Sequence, residues 1–189
     1  SRIDYIKPED LPNIDLYMDQ VTTFMEEQLA STKRYPDDKV LTKTMINNYA
    51  KNKLLPSPEK KRYSKEHLLM LIFIYYFKNI LSISDIQALL SPITEKYFKS
   101  DTDKDLTYIY NEVFSMEKSQ IEYLKKDLLK RYNVAQETFE DADSEDKEFL
   151  KKFSFICLLS FDVYVKKMLI EQLIDGLGED GDKKEKHKK

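Results

Sequence analysis

Glycine is scarce in this 189-residue chain: the sequence has three glycines, all at or beyond Gly176. Glycine-rich loops that cradle phosphate groups need several glycines close together, and no residue before Gly176 is a glycine, so the sequence excludes such phosphate-binding loops from the body of the chain. Nearly every internal turn must then be made by Asn, Asp, Ser or Pro, which form turns for other physical reasons. The scarcity of glycine therefore points away from proteins that bind nucleotides through such loops.

Cysteine and histidine, which often serve as nucleophiles and metal ligands, are almost absent. The single Cys157 allows no intramolecular disulfide, which predicts a reducing, cytoplasmic compartment. Its apolar neighbours predict that the thiol is buried. Of the two histidines, His187 lies in the polar tail, and His67 stands where a helix-capping or solvent-facing residue is expected. An α-helical hydrolase would need a His and Asp constellation or a nucleophile with a base. We therefore predict no enzyme activity, no cofactor and no metal site.

Long apolar runs are also missing. No segment reaches the roughly 20 apolar residues of a membrane-spanning helix, and the N-terminus lacks the order of a signal peptide. The most apolar stretch, residues 153–165, is interrupted by Asp162 and followed by Lys166 and Lys167. This pattern predicts a buried helix and no membrane partner. The composition, 41% hydrophobic and 34% charged, is that of a folded protein with polar helix faces.

Charge is distributed unevenly along the chain, whose net charge is −3. Between Lys33 and Lys65 there are ten basic and three acidic residues, a net charge of +7, so the rest of the chain carries −10. Such an asymmetry is typical of a protein in which one part faces a polyanion. Residues 33–65, called the basic segment below, are therefore the candidate for binding nucleic acid.

The apolar spacing of the first half predicts four helices. Between the second and the third, Pro56 and Pro58 end helical structure and leave a turn with a short extended piece up to Tyr63. The predicted helices begin at Asp15, after a Thr42 cap, after a Ser64 cap and at Ser82, and the second and fourth end at about Asn52 and before Pro92.

The second half predicts two long helices joined by an acidic connector. No Pro or Gly interrupts the apolar spacing from Asp103 to about Tyr132, which predicts one helix of roughly 45 Å. Residues 137–148 are mostly acidic. A last helix is expected from about Glu145 until Gly176 ends it, followed by a polar tail that we expect to be disordered.

Several short motifs follow one another in residues 41–90. A short helix is followed by a Leu-Leu-Pro turn, a basic extended piece, a long apolar helix and a Ser-x-x-Asp-Ile helix start. This order and its spacing resemble the DNA-binding half of MerR-type regulators. The residues in register with the motifs of that family are Ile46, Tyr49, Leu54, Leu55, Pro56, Lys61, Tyr63, Leu68, Leu71, Ile74 and the run from Leu81 to Ile86.

The resemblance implies an all-α fold with a MerR-like winged helix-turn-helix in the N-terminal half and a C-terminal hairpin of long helices. The chain departs from the family pattern at Asn47, where the family has arginine, and at Asn48, where it has tyrosine. The whole chain is also similar to an uncharacterised bacterial family of helical proteins known as a domain of unknown function, which implies no activity. We predict a DNA-binding domain at 1–98, a helical dimerisation or regulatory domain at 99–178 and a disordered tail at 179–189.

One face of the helix after Thr42 has the chemistry of a DNA reader. Lys43, Asn47 and Lys51 lie four residues apart and therefore share a face. Asparagine can pair with adenine through two hydrogen bonds, and lysine can donate to guanine or phosphate. The basic cluster before Tyr63 stands where a wing would contact phosphates. The predicted DNA-binding residues are Lys43, Thr44, Asn47, Asn48, Lys51, Lys60, Lys61, Arg62 and Tyr63.

The expected function is that of a transcriptional regulator, with double-stranded DNA as its partner. Two alternatives stay open: the lysines could form only a solvated basic face, and the chain could be a helical adaptor that keeps the fold without binding DNA. A homodimer through the C-terminal helices is expected, and an unidentified small-molecule effector is a further expected partner. The dimer is predicted because one hairpin cannot bury all of Phe149, Phe153, Ile156 and Val163.

Overall fold

The structure is a computed structural model that describes residues 6–186, without the side chains of residues 117–119 and 178–186. It is mostly helical, as predicted. The described part of the chain divides into two compact units: the first takes in residues 6–114 and 177–186, and the second is Ser115–Gly176. The domain bounds expected from the sequence remain predictions. The elements are β1 (Leu16–Tyr17), α1 (Met18–Gln28), α2 (Lys43–Lys51), β2 (Arg62–Tyr63), α3 (Lys65–Phe77), α4 (Ile83–Tyr97), α5 (Leu106–Ser115), α6 (Glu117–Gln136) and α7 (Ser144–Lys186).

A two-stranded antiparallel sheet begins the first unit. Strand β1 pairs with β2 so that Leu16 lies opposite Tyr63 and Tyr17 lies opposite Arg62. Leu16 and Tyr63 are buried, whereas Tyr17 and Arg62 are exposed, so the sheet has a core side and a solvent side. Helix α1 begins at Met18, later than predicted, because the residues just before it belong to the sheet.

Helix α2 and the turn after it follow the predicted pattern. Thr42 caps the helix, and its hydroxyl oxygen accepts a hydrogen bond from the Met45 amide at 3.2 Å. The helix ends at Lys51, and Lys53 then adopts a positive φ of 58°. This left-handed conformation often terminates helices. The predicted cap and the predicted end near Asn52 are therefore confirmed.

Helix α3 lies at the centre of the first unit. Every residue from His67 to Tyr75 is buried, so the helix is covered on all sides. At its start, the Nδ1 atom of His67 accepts a hydrogen bond from the Ser64 amide at 3.0 Å. A histidine thus takes the place that Glu or Gln usually has in a capping box. The predicted deep burial of this helix and the capping role of His67 are both confirmed.

Helix α4 runs through Pro92 to Tyr97, so the prediction that it ends before the proline is wrong. A proline inside a helix removes one backbone hydrogen bond and costs about 3 kcal/mol. Packing beyond the proline offsets this cost, because Phe98 at the end of the helix is buried and its ring centroid lies 4.8 Å from that of His67. Tertiary contacts therefore override the local signal.

The single helix predicted from Asp103 to Tyr132 is wrong in two respects. Helix α5 begins only at Leu106, and the helical run is divided at Met116 into α5 and α6. Met116 has φ −68° and ψ −22°, which are still right-handed helical values. No Pro or Gly marks this division, and the apolar spacing of the sequence continues across it. The division could therefore not be predicted from the sequence.

Helix α7 is continuous from Ser144 to Lys186, and the end predicted at Gly176 is wrong. A helix-ending glycine has a positive φ, whereas no described glycine in this chain has one. A Cβ atom added to Gly176 would meet nothing within 4 Å. The helix covers most of the tail predicted to be disordered, and residues 187–189 with His187 lie outside the described residues.

In the second unit α6 and α7 pack antiparallel. Arg131 in α6 donates a hydrogen bond to Asp162 in α7 at 3.2 Å. Closer to the connector, the hydroxyls of Thr138 and Ser154 are hydrogen bonded at 3.1 Å. The residue numbers rise along one helix as they fall along the other, which is the arrangement expected of a hairpin.

The side of α7 that does not contact α6 is apolar and exposed, which contradicts the burial predicted for residues 153–165. Phe153 is 51% exposed and Ile156 is 54% exposed. Cys157, predicted to be buried, is partly exposed. One neighbouring helix covers only one side of α7 within the unit. In the part of the chain that the structure describes, no helix has both the length and the apolar character that crossing a bilayer would require.

Candidate nucleic-acid interface

Helix α2 turns an apolar face inward and a polar face outward. Ile46 is fully buried, and Tyr49 is 7% exposed. The predicted division of this helix into two faces is therefore confirmed. The exposed residues of α2 that belong to the predicted DNA-binding set are Lys43, Thr44, Asn47, Asn48 and Lys51.

The first lysine of this polar face has a partner inside the protein. Lys43 forms an ion pair with Asp19 of α1, and the two side chains remain 59% and 75% exposed. Exposed ion pairs are weak and sensitive to salt, so a phosphate group can replace the carboxylate. Among the described residues, Asn47 and Lys51 have no side-chain hydrogen bond or ion pair. Their polar groups are therefore available to a ligand.

A tight turn between Glu59 and Arg62 places two lysines at the tip of a β-hairpin. Glu59 and Arg62 form an antiparallel bridge, and the Arg62 amide donates to the Glu59 carbonyl at 2.8 Å. Lys60 and Lys61, the two residues between them, have positive φ values of 49° and 65°. Positive φ at both central residues is the mark of a type I′ turn. The extended piece predicted before Tyr63 is thus a hairpin whose tip carries two ammonium groups.

Lysine is an unusual residue for these two turn positions. The left-handed conformation brings Cβ close to the backbone and costs roughly 1 kcal/mol for a residue other than glycine. Asn-Gly or Asp-Gly therefore normally occupies the centre of a type I′ turn. Backbone strain of this kind is concentrated at functional sites. The conformational cost of Lys60 and Lys61 favours a functional reason for the charge at the hairpin tip.

Strand β2 turns one side chain to solvent and the next to the core. Arg62 is exposed. Tyr63 is 4% exposed, its ring packs edge-on against His67, and its burial raises the pKa of the phenol hydroxyl. Tyr63 is therefore a core residue that holds the strand, and the prediction that it contacts DNA at the surface is wrong. The other eight residues of the predicted set are exposed.

Helix α1 supports both basic elements, because it contacts α2 and β2. Glu26 of the same helix also binds one lysine of the basic segment, which is therefore directed towards the protein. Lys33 forms an ion pair with Glu26, and its hydrogen bond lowers the pKa of the Glu26 carboxyl. Lys33 therefore stabilises the first unit and is not part of the candidate interface. The interface consists of the exposed face of α2 and the hairpin tip.

His67 lies buried between two aromatic rings. Its ring centroid is 5.4 Å from that of Tyr63 and 4.8 Å from that of Phe98. Burial lowers the pKa of His67, because the charged imidazolium would lose its hydration. The nearby Ser57 carbonyl opposes this effect by raising the pKa of His67. Among the described residues, however, no atom forms a hydrogen bond with Nε2. The fold therefore favours the neutral ring.

We expect this histidine to make the fold less stable in mild acid. The unfolded chain binds a proton on His67 near the ordinary pKa of about 6.5, and the folded chain binds it only at lower pH. The contribution of the neutral ring is thus complete above that value and is lost as the pH falls through the lowered pKa. Chemical denaturation at about pH 7 and about pH 5 should show a decline of up to about 1.4 kcal/mol per pH unit.

The control for this pH dependence is His67→Gln, because glutamine can still cap α3 but cannot titrate in this range. The variant should lose less stability than the wild type over the same pH interval, whatever its stability near neutral pH. An equal loss in both proteins would show that other groups cause the decline.

A cavity of about 800 Å³ lies beside the hairpin, between β2, the start of α3 and the end of α4. Its volume is within the range of sites for small molecules. The small-molecule effector expected from the sequence stays a prediction, because the volume of a cavity does not identify a ligand. In the described part of the chain, no group of three or more His, Cys, Asp or Glu residues could hold a metal ion. The charged residues that line the cavity are Asp15, Glu59, Arg62, Glu66, Glu95, Lys96, Lys99, Asp101 and Asp105.

Comparison with known protein families places the candidate interface in a defined family. The family model described as "Domain of unknown function (DUF1836)" matches residues 6–113, more than half of the chain. Neither curated proteins nor solved structures gave a match. The predicted similarity to an uncharacterised family is confirmed for these residues, whereas the resemblance to MerR-type regulators remains a prediction. The chain belongs to the family Domain of unknown function (DUF1836).

Proposed function

We propose that this protein is a DNA-binding transcriptional regulator with a MerR-like winged helix-turn-helix. The observation that carries the proposal is the exposed Lys43, Asn47 and Lys51 face of α2, followed along the chain by a hairpin tip made of Lys60 and Lys61. In this proposal α2 enters the major groove, and the hairpin tip contacts backbone phosphates.

The order of elements in the first unit supports the proposal. Helices α1 and α2 correspond to the two helices of a helix-turn-helix, the β2 hairpin corresponds to a short wing, and α3 and α4 to the helix pair that follows. The net charge of +7 on the basic segment supplies the attraction to a polyanion. The predicted cytoplasmic location belongs to the same proposal, because a regulator must reach its DNA.

We assign base recognition to Asn47, because its amide group can donate to and accept from adenine at the same time. Asn47→Ala should lower the affinity for a selected site by about 1–3 kcal/mol and bring it towards the non-specific level. Its stability should stay within about 0.5 kcal/mol of the wild type, because an exposed side chain contributes little packing. The measurement is binding to a site selected from random DNA, compared with unrelated DNA.

Asn133→Ala is the matched control, since Asn133 is an exposed asparagine on α6. It should leave both affinities unchanged. If Asn47→Ala discriminates between the two DNAs as well as the wild type does, α2 is not the reading helix. If the wild type binds neither DNA, the proposed function itself is wrong.

We further propose that the protein forms a homodimer through α7. Phe149, Phe153, Ile156 and Val163 follow one another at intervals of four, three and seven residues, which gives one stripe along a helix. Each of them is more than half exposed in the single chain. Exposed apolar surface of this extent normally marks an interface, and a dimer would present two reading units to two half-sites.

The alternative function, a helical adaptor without DNA binding, is favoured by one observation. The apolar surface of α7 would serve equally to bind a different protein. The two functions separate on a heparin column followed by DNA titration, because only the regulator needs the polyanion-binding surface. Retention at moderate salt supports the regulator, and elution without retention supports the adaptor.

A further inference from the structure

We infer that Tyr17 positions Arg62 so that its guanidinium binds a backbone phosphate of DNA through two parallel hydrogen bonds. This inference rests on the proposed function and adds to it a residue outside the basic segment. The two residues are far apart in sequence and are brought together by the pairing of β1 with β2, where Tyr17 lies opposite Arg62.

The backbone of Tyr17 is fixed from two directions. It belongs to strand β1, and it is also the cap of helix α1, where its amide donates to the side-chain oxygen of Gln20 at 2.8 Å. The ring is 50% exposed, on the same solvent-facing side of the sheet as Arg62. Tyr17 is therefore a half-exposed aromatic residue whose backbone is held in place by the sheet and by the helix start.

The guanidinium of Arg62 rests against this ring. Its central carbon lies 5.4 Å from the ring centroid, and Nε and Nη2 lie 3.4 Å and 3.3 Å from the Tyr17 hydroxyl oxygen, to which both donate. A guanidinium has its N–H groups in a planar fork. Among the described residues, none other than Tyr17 forms a hydrogen bond or ion pair with the guanidinium of Arg62, so the edge that Nη1 and Nη2 make is open. That edge has the geometry for bidentate binding of a phosphate.

Positioning matters because arginine is a long and flexible side chain. Holding it in one geometry costs conformational entropy when a ligand binds, and a platform that holds it beforehand reduces this cost. Arg62 directly follows Lys60 and Lys61, so its open edge adds to the same charged tip. A phosphate contact at this position strengthens binding to every DNA sequence alike, since it reads no base.

The test is a double-mutant cycle on DNA affinity in the full chain. We measure the wild type, Tyr17→Ala, Arg62→Ala and the double variant on one duplex over a range of salt concentrations. Tyr17→Ala should weaken binding about twofold to fivefold, the effect of an exposed contact between a cation and an aromatic ring. In the Arg62→Ala background the same change should have no effect, because the residue that Tyr17 positions is gone. Ile14→Ala, also an exposed apolar residue near β1, is the control and should bind like the wild type.

Tyr17→Phe keeps the ring and removes the hydroxyl acceptor, and it decides the case if Tyr17→Ala does not fold. Its loss of affinity should be smaller and should also vanish when Arg62 is alanine. Equal losses with and without Arg62, or no loss in a folded Tyr17 variant, would overturn the inference while leaving DNA binding intact. A wild type that binds no DNA would overturn the proposed function and this inference together.

Discussion

Replacing Lys60 by asparagine and Lys61 by glycine should make the protein more stable and its DNA binding weaker. Both lysines have positive φ, and Asn-Gly is the pair that a type I′ turn prefers. Relief of the left-handed strain should raise the free energy of unfolding by roughly 1–2 kcal/mol. For a chain of this size, that corresponds to about 2–4 °C in melting temperature per kcal/mol.

The same substitution removes two positive charges from the hairpin tip. Each lysine that contacts a phosphate releases condensed counterions, so the slope of log affinity against log salt should decrease by about 0.9 per lost contact. Affinity should fall for all DNA sequences at physiological salt, because phosphate contacts carry no sequence information. A gain in stability with a loss of binding separates the role of the charge from any effect on folding.

Two controls complete this experiment. Lys53→Gly relieves positive φ at another lysine and should raise stability without altering the hairpin tip. Lys126→Gln/Lys130→Gln removes two exposed lysines from α6 and should leave the salt dependence unchanged. If the hairpin variant keeps the wild-type slope and affinity, the basic cluster is only a solvated face, and the adaptor becomes the better proposal.

The starts of α2, α3 and α4 were predictable because they depend on contacts within a few residues. Thr42 caps α2 and Ser82 caps α4, each through a hydrogen bond to an amide three residues later. The burial of α3 was predictable for a related reason, since an unbroken apolar run has no polar side to expose. Local chemistry and burial agree at these positions, and the sequence therefore carries both.

The failures occur where contacts distant in sequence decide the outcome. Pro92 predicts a helix end, but the burial of Phe98 beyond it keeps α4 helical. Gly176 predicts a cap and lies instead in continuous helix. Tyr63 stands in a basic cluster and looks like a surface residue, whereas its pairing with β1 turns it to the core. None of these outcomes follows from neighbouring residues alone.

The candidate site was predictable as a surface but not in its geometry. Four-residue spacing was enough to place Lys43, Asn47 and Lys51 on one exposed face. The hairpin tip was harder, because two lysines are not a turn signal and only the backbone shows their positive φ. The contact of Arg62 with Tyr17 depends on strand pairing, which no spacing within the basic segment could reveal.

The wild-type protein should be a dimer in solution, and Phe153→Glu/Ile156→Glu should convert it to a monomer. Both side chains are about half exposed in the single chain, so the glutamates remain hydrated there and leave the protomer folded. In the proposed interface the same glutamates would be desolvated without partners, which is strongly unfavourable. Light scattering at tens of micromolar gives the mass, and circular dichroism checks that the helix content is unchanged.

Phe161→Glu is the matched control. Phe161 is 68% exposed, but it lies about a third of a turn around α7 from the stripe that begins at Phe149. The control introduces one glutamate, where the double variant has two, at a position that is at least as exposed. This variant should remain a dimer. A wild type that is strictly monomeric in this concentration range would rule out the proposed interface, as would a Phe153→Glu/Ile156→Glu variant that stays dimeric.

The loss of the dimer should also weaken DNA binding, although the two glutamates lie outside the basic segment. Two linked reading units bind two half-sites with a high effective local concentration, and a monomer loses this advantage, about 100-fold or more. The salt slope should fall towards half its wild-type value, since half of the phosphate contacts remain per binding event. If the monomer binds as tightly as the dimer, one chain is the functional reader, and the apolar stripe of α7 serves another partner.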